Sequence, residues 1–440
     1  MRKTLFVIGV CTVSLFFAFV EGVLGQNDYQ FDLSEIEKEI EKKSYRIGGF
    51  FELRPVLFGL DRDAAFYKIR FFEQDEGATL EQYNLGFRLE GSYAKGIASL
   101  YFRTDSRLWY DYQGWDEDIE LSEGYVSLKP NPGFTLNAGK EVVLWGKGYA
   151  MNPVAFVSRP KDPDDPVEAL EGYYAITADL IRSFRGHLKA LAFTPVIIPV
   201  TDKINDDFGE PDHINFAAKL YLLLWDTDLD LIFFTGASRT TRYGFDFARN
   251  VATNFEIHGE LAWITDFDKK SIDPQGSIST ETTDVMRALL GIRYLTASDI
   301  TFIIDYYYNG GGLDENDAEA FYQFVDQAYD TFLLTGDRSQ FSRAARLSQD
   351  TLATAKPMRN YLYFRTSWKE PFNFLYFMPA ITSIVNLTDQ SFSLAPELLY
   401  IPKTNLEFRL RGIFSVGGKH TEYGEKANDY KIELRARYYF

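Results

Sequence analysis

The feature that most constrains this chain is a two-residue alternation of apolar and polar side chains, sustained over membrane-length stretches. At the C-terminus, Tyr430, Ile432, Leu434, Ala436, Tyr438 and Phe440 alternate with Lys431, Glu433, Arg435, Arg437 and Tyr439. Successive side chains of a strand point to opposite faces, so this segment has one oily face and one wetted face. The preceding segment repeats the arrangement, with Leu406, Phe408 and Leu410 set against Glu407, Arg409 and Arg411. Leu85, Phe87 and Leu89 likewise flank Arg88 and Glu90, and Leu362 and Phe364 lie among Tyr361, Tyr363 and Arg365. Such runs last roughly 9 to 13 residues, the reach of a tilted strand across hydrocarbon, whereas soluble strands average about 5 to 6. Length therefore selects an all-β fold, a closed antiparallel transmembrane β-barrel, over a sandwich.

The connections obey a second rule of such barrels, short turns on one side and longer loops on the other. Counting back from Phe440, brief turns fall at 402–404, 369–371, 297–299, 250–253, 226–228, 183–186, 129–133 and 94–96, most of them carrying Pro, Gly, Asn or Asp. The intervening connections include the long ones, at 146–167, 197–213, 268–283, 310–357 and 417–428. The count gives about 18 strands, or 16 if the stretch from Phe50 to Leu80 is divided differently. Within 314–356, Phe321, Phe324, Val325, Ala328, Phe332 and Leu333 recur near helical spacing, which predicts a helical outer loop resting on the rim or closing the pore.

The N-terminus reads as an export signal. Arg2 and Lys3 precede an apolar core from Leu5 to Val20, and a cleavage site is expected after Gly25. Residues 26–44 then form a periplasmic lead-in, with Leu33, Ile36 and Ile40 at the spacing of a short amphipathic helix. The barrel is expected over 45–440. Beyond the leader no apolar run is long enough for a membrane helix, which excludes a helical membrane protein. The lone cysteine, Cys11, lies in the leader, so the mature chain has neither disulfides nor thiol chemistry. A formal charge of −17 argues against a nucleic-acid partner. Export and barrel together predict residence in the outer membrane of a Gram-negative-type bacterium, with lipid as the surrounding partner.

One long connection is proline-rich and begins Trp145-Gly146-Lys147-Gly148, continuing through Asn152-Pro153 to Arg159 and the 160–166 stretch. With Gly139-Lys140 before it, this segment resembles a loop of porin-like outer-membrane barrels, in which a Gly-Lys or Gly-Arg pair, Trp-Gly and Asn-Pro follow a mid-barrel strand. Those families include poorly characterised channels and, more distantly, exporters of acidic polysaccharide. The resemblance implies that Trp145, Gly146, Lys147, Asn152, Pro153 and Arg159 belong to a constriction loop. It also implies that Phe440, closing a terminal Tyr-Tyr-Phe, is read by the barrel assembly machinery.

Assigning the apolar rows to lipid sends Arg54, Arg88, Arg103, Arg107, Arg287, Arg293, Arg365, Arg409, Arg411, Arg435 and Arg437 inward, accompanied by Glu52, Glu90, Glu407 and Glu433. Arginine rings favour anion passage, and arginines paired with carboxylates would instead stiffen the wall. Acidic residues concentrate in the outer connections, among them 111–120, 202–212 and 314–319. Glu256, His258 and Glu260 share one face of a strand and are weak candidates for a metal, although a hydrated charged row is the simpler account. The 162–165 carboxylates lack the calcium-loop pattern, and Gly146-Lys147-Gly148 lacks that of a phosphate loop. No cofactor is implied. The expected function is a channel, not an enzyme, for small polar solutes, anions among them. The alternatives are a plugged structural or receptor barrel and, less favoured, a hydrolase built on one of His187, His213, His258 and His420. The segment before Tyr45 is too short for the plug domain of an energy-coupled receptor.

Overall fold

The computed structural model describes residues 44–72, 77–349 and 356–440. The expected leader at 1–25 and the amphipathic helix of the lead-in lie outside the described residues. The strands begin with β1 (Tyr45–Leu60), β2 (Thr79–Lys95), β3 (Ala98–Asp111), β4 (Gly114–Asn131), β5 (Phe134–Glu141) and β6 (Tyr173–Ser183). They continue with β7 (Leu188–Val200), β8 (His213–Leu224), β9 (Thr227–Thr235), β10 (Arg242–Ala252), β11 (Phe255–Ile272) and β12 (Ile278–Leu295). The last six are β13 (Ile300–Asn309), β14 (Asn360–Trp368), β15 (Phe377–Asn386), β16 (Phe392–Lys403), β17 (Leu406–Val416) and β18 (Asn428–Tyr439).

Each strand pairs antiparallel with the next, and β1 pairs with both β2 and β18, so the sheet closes with 18 strands. The division into 16 fails because the Phe50 to Leu80 stretch holds the end of β1, a short helix α1 (Ala65–Phe71) and the start of β2. The seam is completed by Phe440, whose N–H donates to the Gly49 carbonyl (3.1 Å) and whose carbonyl accepts from the Gly49 N–H (3.3 Å). Closure leaves no unpaired edge, a requirement for backbone surrounded by hydrocarbon. Leu231, Leu261, Leu290, Leu398, Leu410 and Leu434 are all exposed on the outer face. Rows of exposed leucine suit lipid, not water. Among the described residues no helix is long and apolar enough to cross a membrane.

Two expected loop boundaries move. The 268–283 stretch is mostly strand: β11 and β12 continue upward as a hairpin, with Lys269 opposite Glu281 and Lys270 opposite Thr280, and only 273–277 turns. Similarly β4 starts at Gly114, and Asp118 stands opposite Arg107 on β3. Polar pairs satisfy a ladder that has left the hydrocarbon, where apolar alternation is no longer required. In the other direction, β5 stops at Glu141, so the connection begins three residues before the Trp145 at which it was expected.

The β13–β14 connection carries α2 (Glu315–Thr335) and α3 (Ser339–Leu347). Asp314 and Asp317 form a reciprocal cap at the start of α2, and Gly336, with φ of 74°, accommodates the left-handed turn at its end. The buried face of α2, Phe321, Tyr322 and Val325, packs in one cluster with the barrel tyrosines Tyr307 and Tyr361. A second apolar cluster joins inward residues of β7 to β11, including Val196, Ile232, Phe234 and Ala262, to Trp145, Val154 and Phe156 of the β5–β6 connection. Large parts of the interior are therefore packed side chains.

Candidate functional site: a loop tied across the lumen

The β5–β6 connection, residues 142–172, turns inward as soon as β5 ends. Its first attachment is Glu260 on β11, whose side chain is only 3% exposed as a residue. Glu260 Oε1 accepts from the backbone N–H groups of Lys147 and Gly148 (both 2.6 Å) and from Asn152 Nδ2 (2.9 Å), while Oε2 accepts from Val154 N–H (3.3 Å). Converging amides can hold one buried carboxylate as a nest holds an anion. The chain must bend sharply to do so. Gly146 has φ of 102°, and a Cβ there would lie 2.7 Å from Glu260 Oε1. Gly146 and Asn152, of the Trp-Gly and Asn-Pro pairs singled out by sequence, thus meet at one carboxylate.

Around this attachment the wall is acidic. Asp230, Asp246 and Glu260 stand side by side across β9, β10 and β11 in register. Lys147 reaches them from the loop, with Nζ 2.9 Å from Asp230 Oδ2 and 3.6 Å from Asp246 Oδ1. Burial alone would lower the Lys147 pKa, but its bond to Asp230 and the charge of Asp246 raise it, so the ammonium stays charged. The neighbouring row holds His258, whose Nε2 lies 3.0 Å from Asp305 Oδ1; Asp305 Oδ2 accepts from the loop N–H of Tyr149 (3.2 Å). The contact passes over Gly291, where a Cβ would come within 2.3 Å of His258 Nε2.

The second attachment lies on the opposite side of the sequence, on β17 and β18. Asp165 accepts from Arg409 Nη1 (3.0 Å) and Nη2 (2.5 Å), and lies 3.5 Å from Arg411 and 3.7 Å from Arg435. Glu168 pairs with Arg435 (3.3 Å) and Arg437 (3.2 Å), and Arg411 Nη1 donates to the Asp164 carbonyl (2.7 Å). Burial raises the Asp165 pKa, but its hydrogen bond to Arg409 and the three guanidinium charges outweigh that and hold it at about 2.

The remaining predicted arginines fall mostly into ion pairs. Arg54 and Arg437 share Glu52 (3.4 and 2.5 Å), Arg88 pairs with Asp105 (2.6 Å), and Arg103 with Glu123 (2.8 Å). Arg103 also donates to the loop carbonyl of Leu170. Arg365 meets Glu397 (3.0 Å), and Arg107 meets Asp118 (3.1 Å) in an exposed pair. Arg293 stands opposite Glu256, and Arg287 lies over the Phe267 ring. Arg159 bonds Glu171 (2.9 Å) and Asp207 (3.1 Å) and stacks on Tyr173.

The candidate metal trio does not converge. His258 Nδ1 lies 3.4 Å from Glu256, but Glu260 is committed to the loop amides, and no metal-holding group occurs among the described residues. His420 Nε2 lies 3.1 Å from Asp326 on α2, which also meets Lys68 (2.8 Å) and Lys419 (2.7 Å), so one carboxylate clips three outer connections together. The residues that sequence reasoning missed are Asp230, Asp246, Asp305 and Glu168. The first three sit at inward positions of their strands and could have been found from alternation; the role of Glu168 depends on a contact 269 residues away.

No family model matches the chain, and no curated protein matches it. Among solved structures it is similar to OccK5 (OpdH) of Pseudomonas aeruginosa, with a TM-score of 0.51, 11% identity, 90% of this chain covered and 98% of that chain. OprD and OccK11 (OpdR) of the same organism follow, each with a TM-score of 0.48 and 11% identity. OprD covers 91% of this chain and 97% of its own, and OccK11 covers 90% and 96%. At this identity the likeness speaks for architecture: the chain folds as a porin-like closed barrel.

Proposed function

We propose that this protein is an outer-membrane channel for small polar solutes, narrowed by the loop that crosses its lumen. The observation that carries the reading is the double attachment of residues 142–172, to Glu260 on one wall and to Arg409, Arg411, Arg435 and Arg437 on the other. A segment held at both ends sets a fixed aperture. The anion preference expected of an arginine-lined pore is muted in this reading, because the inward guanidiniums are largely compensated by wall and loop carboxylates. No reaction is assigned; His258 and His420 each serve an aspartate pair.

Purified protein reconstituted in planar bilayers is expected to give discrete ion-conducting steps, with a reversal potential near zero under a salt gradient. Absence of steps would favour the second reading, a sealed structural or receptor barrel, which the dry packing of α2 on Tyr307 and Tyr361 supports. In either reading Phe440 serves assembly, and its ring rests against Phe51 and Phe87 (5.5 and 6.1 Å between centroids). Deleting it is expected to lower the yield of folded barrel in the membrane fraction.

A further inference from the structure

Where the loop rejoins the wall it leaves a hollow of about 310 Å³, lined by Arg103, Glu123, Val142, Leu144, Lys161 and Val167 among others. Its volume lies at the lower end of those that hold small molecules. Two things set it apart from the rest of the lumen. First, Leu144 and Val167, at 60% and 68%, are the large apolar side chains left exposed in the 142–172 connection. Aliphatic side chains left uncovered beside charged walls are a standing attraction for an apolar body. Secondly, Lys161 Nζ donates to the carbonyls of Gly148 (3.2 Å) and Tyr149 (3.1 Å), and among the described residues no carboxylate lies within ion-pair range of it. The other cation of the hollow differs: Arg103 is paired with Glu123 and Asp105. An ammonium whose hydrogen-bond partners are neutral carbonyls, with Glu260 and Asp305 acting on it only through their more distant charge, stands beside uncovered aliphatic surface and is complementary to a ligand with one negative charge and a short alkyl body.

We infer that this hollow is a solute-binding subsite for small amphipathic monoanions, the alkyl part lying on Leu144 and Val167 and the anionic head facing Lys161. The inference rests on the channel reading for its place on a transport route, although binding itself does not require conduction. Sugars of similar volume would bury hydroxyl groups against Leu144 and Val167 without partners, so the site discriminates against them. Glu123 and Glu168, also in the lining, disfavour a second negative charge.

The test is calorimetric titration of the full detergent-solubilised chain with acetate, butyrate and hexanoate, with glucose as comparison and titration into empty micelles subtracted. Affinity is expected to rise about two- to fourfold per added methylene, the factor that burial of a CH₂ supplies. Leu144→Ser with Val167→Ser should flatten that dependence, and since both residues are exposed the barrel should fold as before. Lys161→Gln keeps a donor for the two carbonyls, and should remove the advantage of hexanoate over neutral hexanol. Equal affinity for acetate and hexanoate, or glucose binding as well as hexanoate, would overturn the assignment. Ion conductance of the same preparations reports separately on the channel: conduction without chain-length dependence refutes the subsite alone, and chain-length dependence without conduction refutes the channel alone.

Discussion

The two ends of the lumen-crossing loop are held by opposite kinds of chemistry. At the Glu260 end a single buried carboxylate collects three backbone N–H groups and one side-chain amide. At the arginine end two loop carboxylates are spread among four guanidiniums that themselves pair with Glu397, Glu407, Glu433 and Glu52. The first arrangement is specific and has no substitute, because among the described residues the three backbone amides have no other acceptor, and only Asn152 has a second one, the Gly148 carbonyl. The second is a network, in which losing one member leaves others to share the charge. The comparison teaches that position is set at the acidic wall, and that the arginine wall sets how firmly the loop is held and what charge the pore presents.

The largest effect is therefore expected from Glu260→Ala. It orphans three backbone donors at about 1–3 kcal/mol each, so the loop end should detach at a cost of at least about 3 kcal/mol. Hydrogen exchange of the Lys147, Gly148 and Val154 amides would register this directly, and unchanged protection would break the contrast between the two ends. Asp165→Asn comes next. It leaves Arg409, Arg411 and Arg435 under-compensated in a buried setting, at about 3 kcal/mol. Reversal potentials should then move toward anion selectivity, and a shift toward cations would contradict the compensation argument.

Acid should act on the Asp165 contacts only at extreme pH. The Asp165 pKa is held at about 2, below the ordinary aspartate value near 3.9, so its contribution is complete above about pH 4 and is lost as pH falls through 2. Conductance titrated downward should show no step from Asp165 until below about pH 3. The smallest change is expected from Asp326→Asn at the outer clip. Burial raises the pKa of this carboxylate, but hydrogen bonds from Lys419, Lys68 and His420 more than offset that and hold it well below the usual range. These partners are partly exposed, so the loss should be under about 1 kcal/mol and should vanish in high salt. Limited proteolysis of the 309–360 connection at two ionic strengths measures it.

How much of this was legible beforehand depends on how far each contact reaches along the chain. Strand count, closure and the short-turn side follow from local alternation and turn residues, as in Tyr430 to Phe440 and in 94–96, because lipid and water each impose their face on every second side chain. The inward direction of Arg409, Arg411, Arg435 and Arg437 follows in the same way. Their compensation does not, since Asp165 lies 244 residues from Arg409 and no spacing rule links them. The upper β11–β12 hairpin was misread as a loop because Asp268, Lys269 and Lys270 erase the apolar period while the backbone goes on pairing. The Trp-Gly and Asn-Pro residues stand out as a motif, but Glu260, on which Gly146 and Asn152 meet, groups by spacing with Glu256 and His258 on its own strand. Side chains that share a strand face are visible in sequence, whereas those brought together by a folded-in loop are not.

The central claim is that the loop fixed between Glu260 and the arginines sets the aperture. Single-channel conductance after replacing residues 146–167 with a short Gly-Ser linker tests it most directly. The conductance should rise several-fold over the intact barrel in the same salt; an unchanged conductance in a correctly folded barrel would contradict the account.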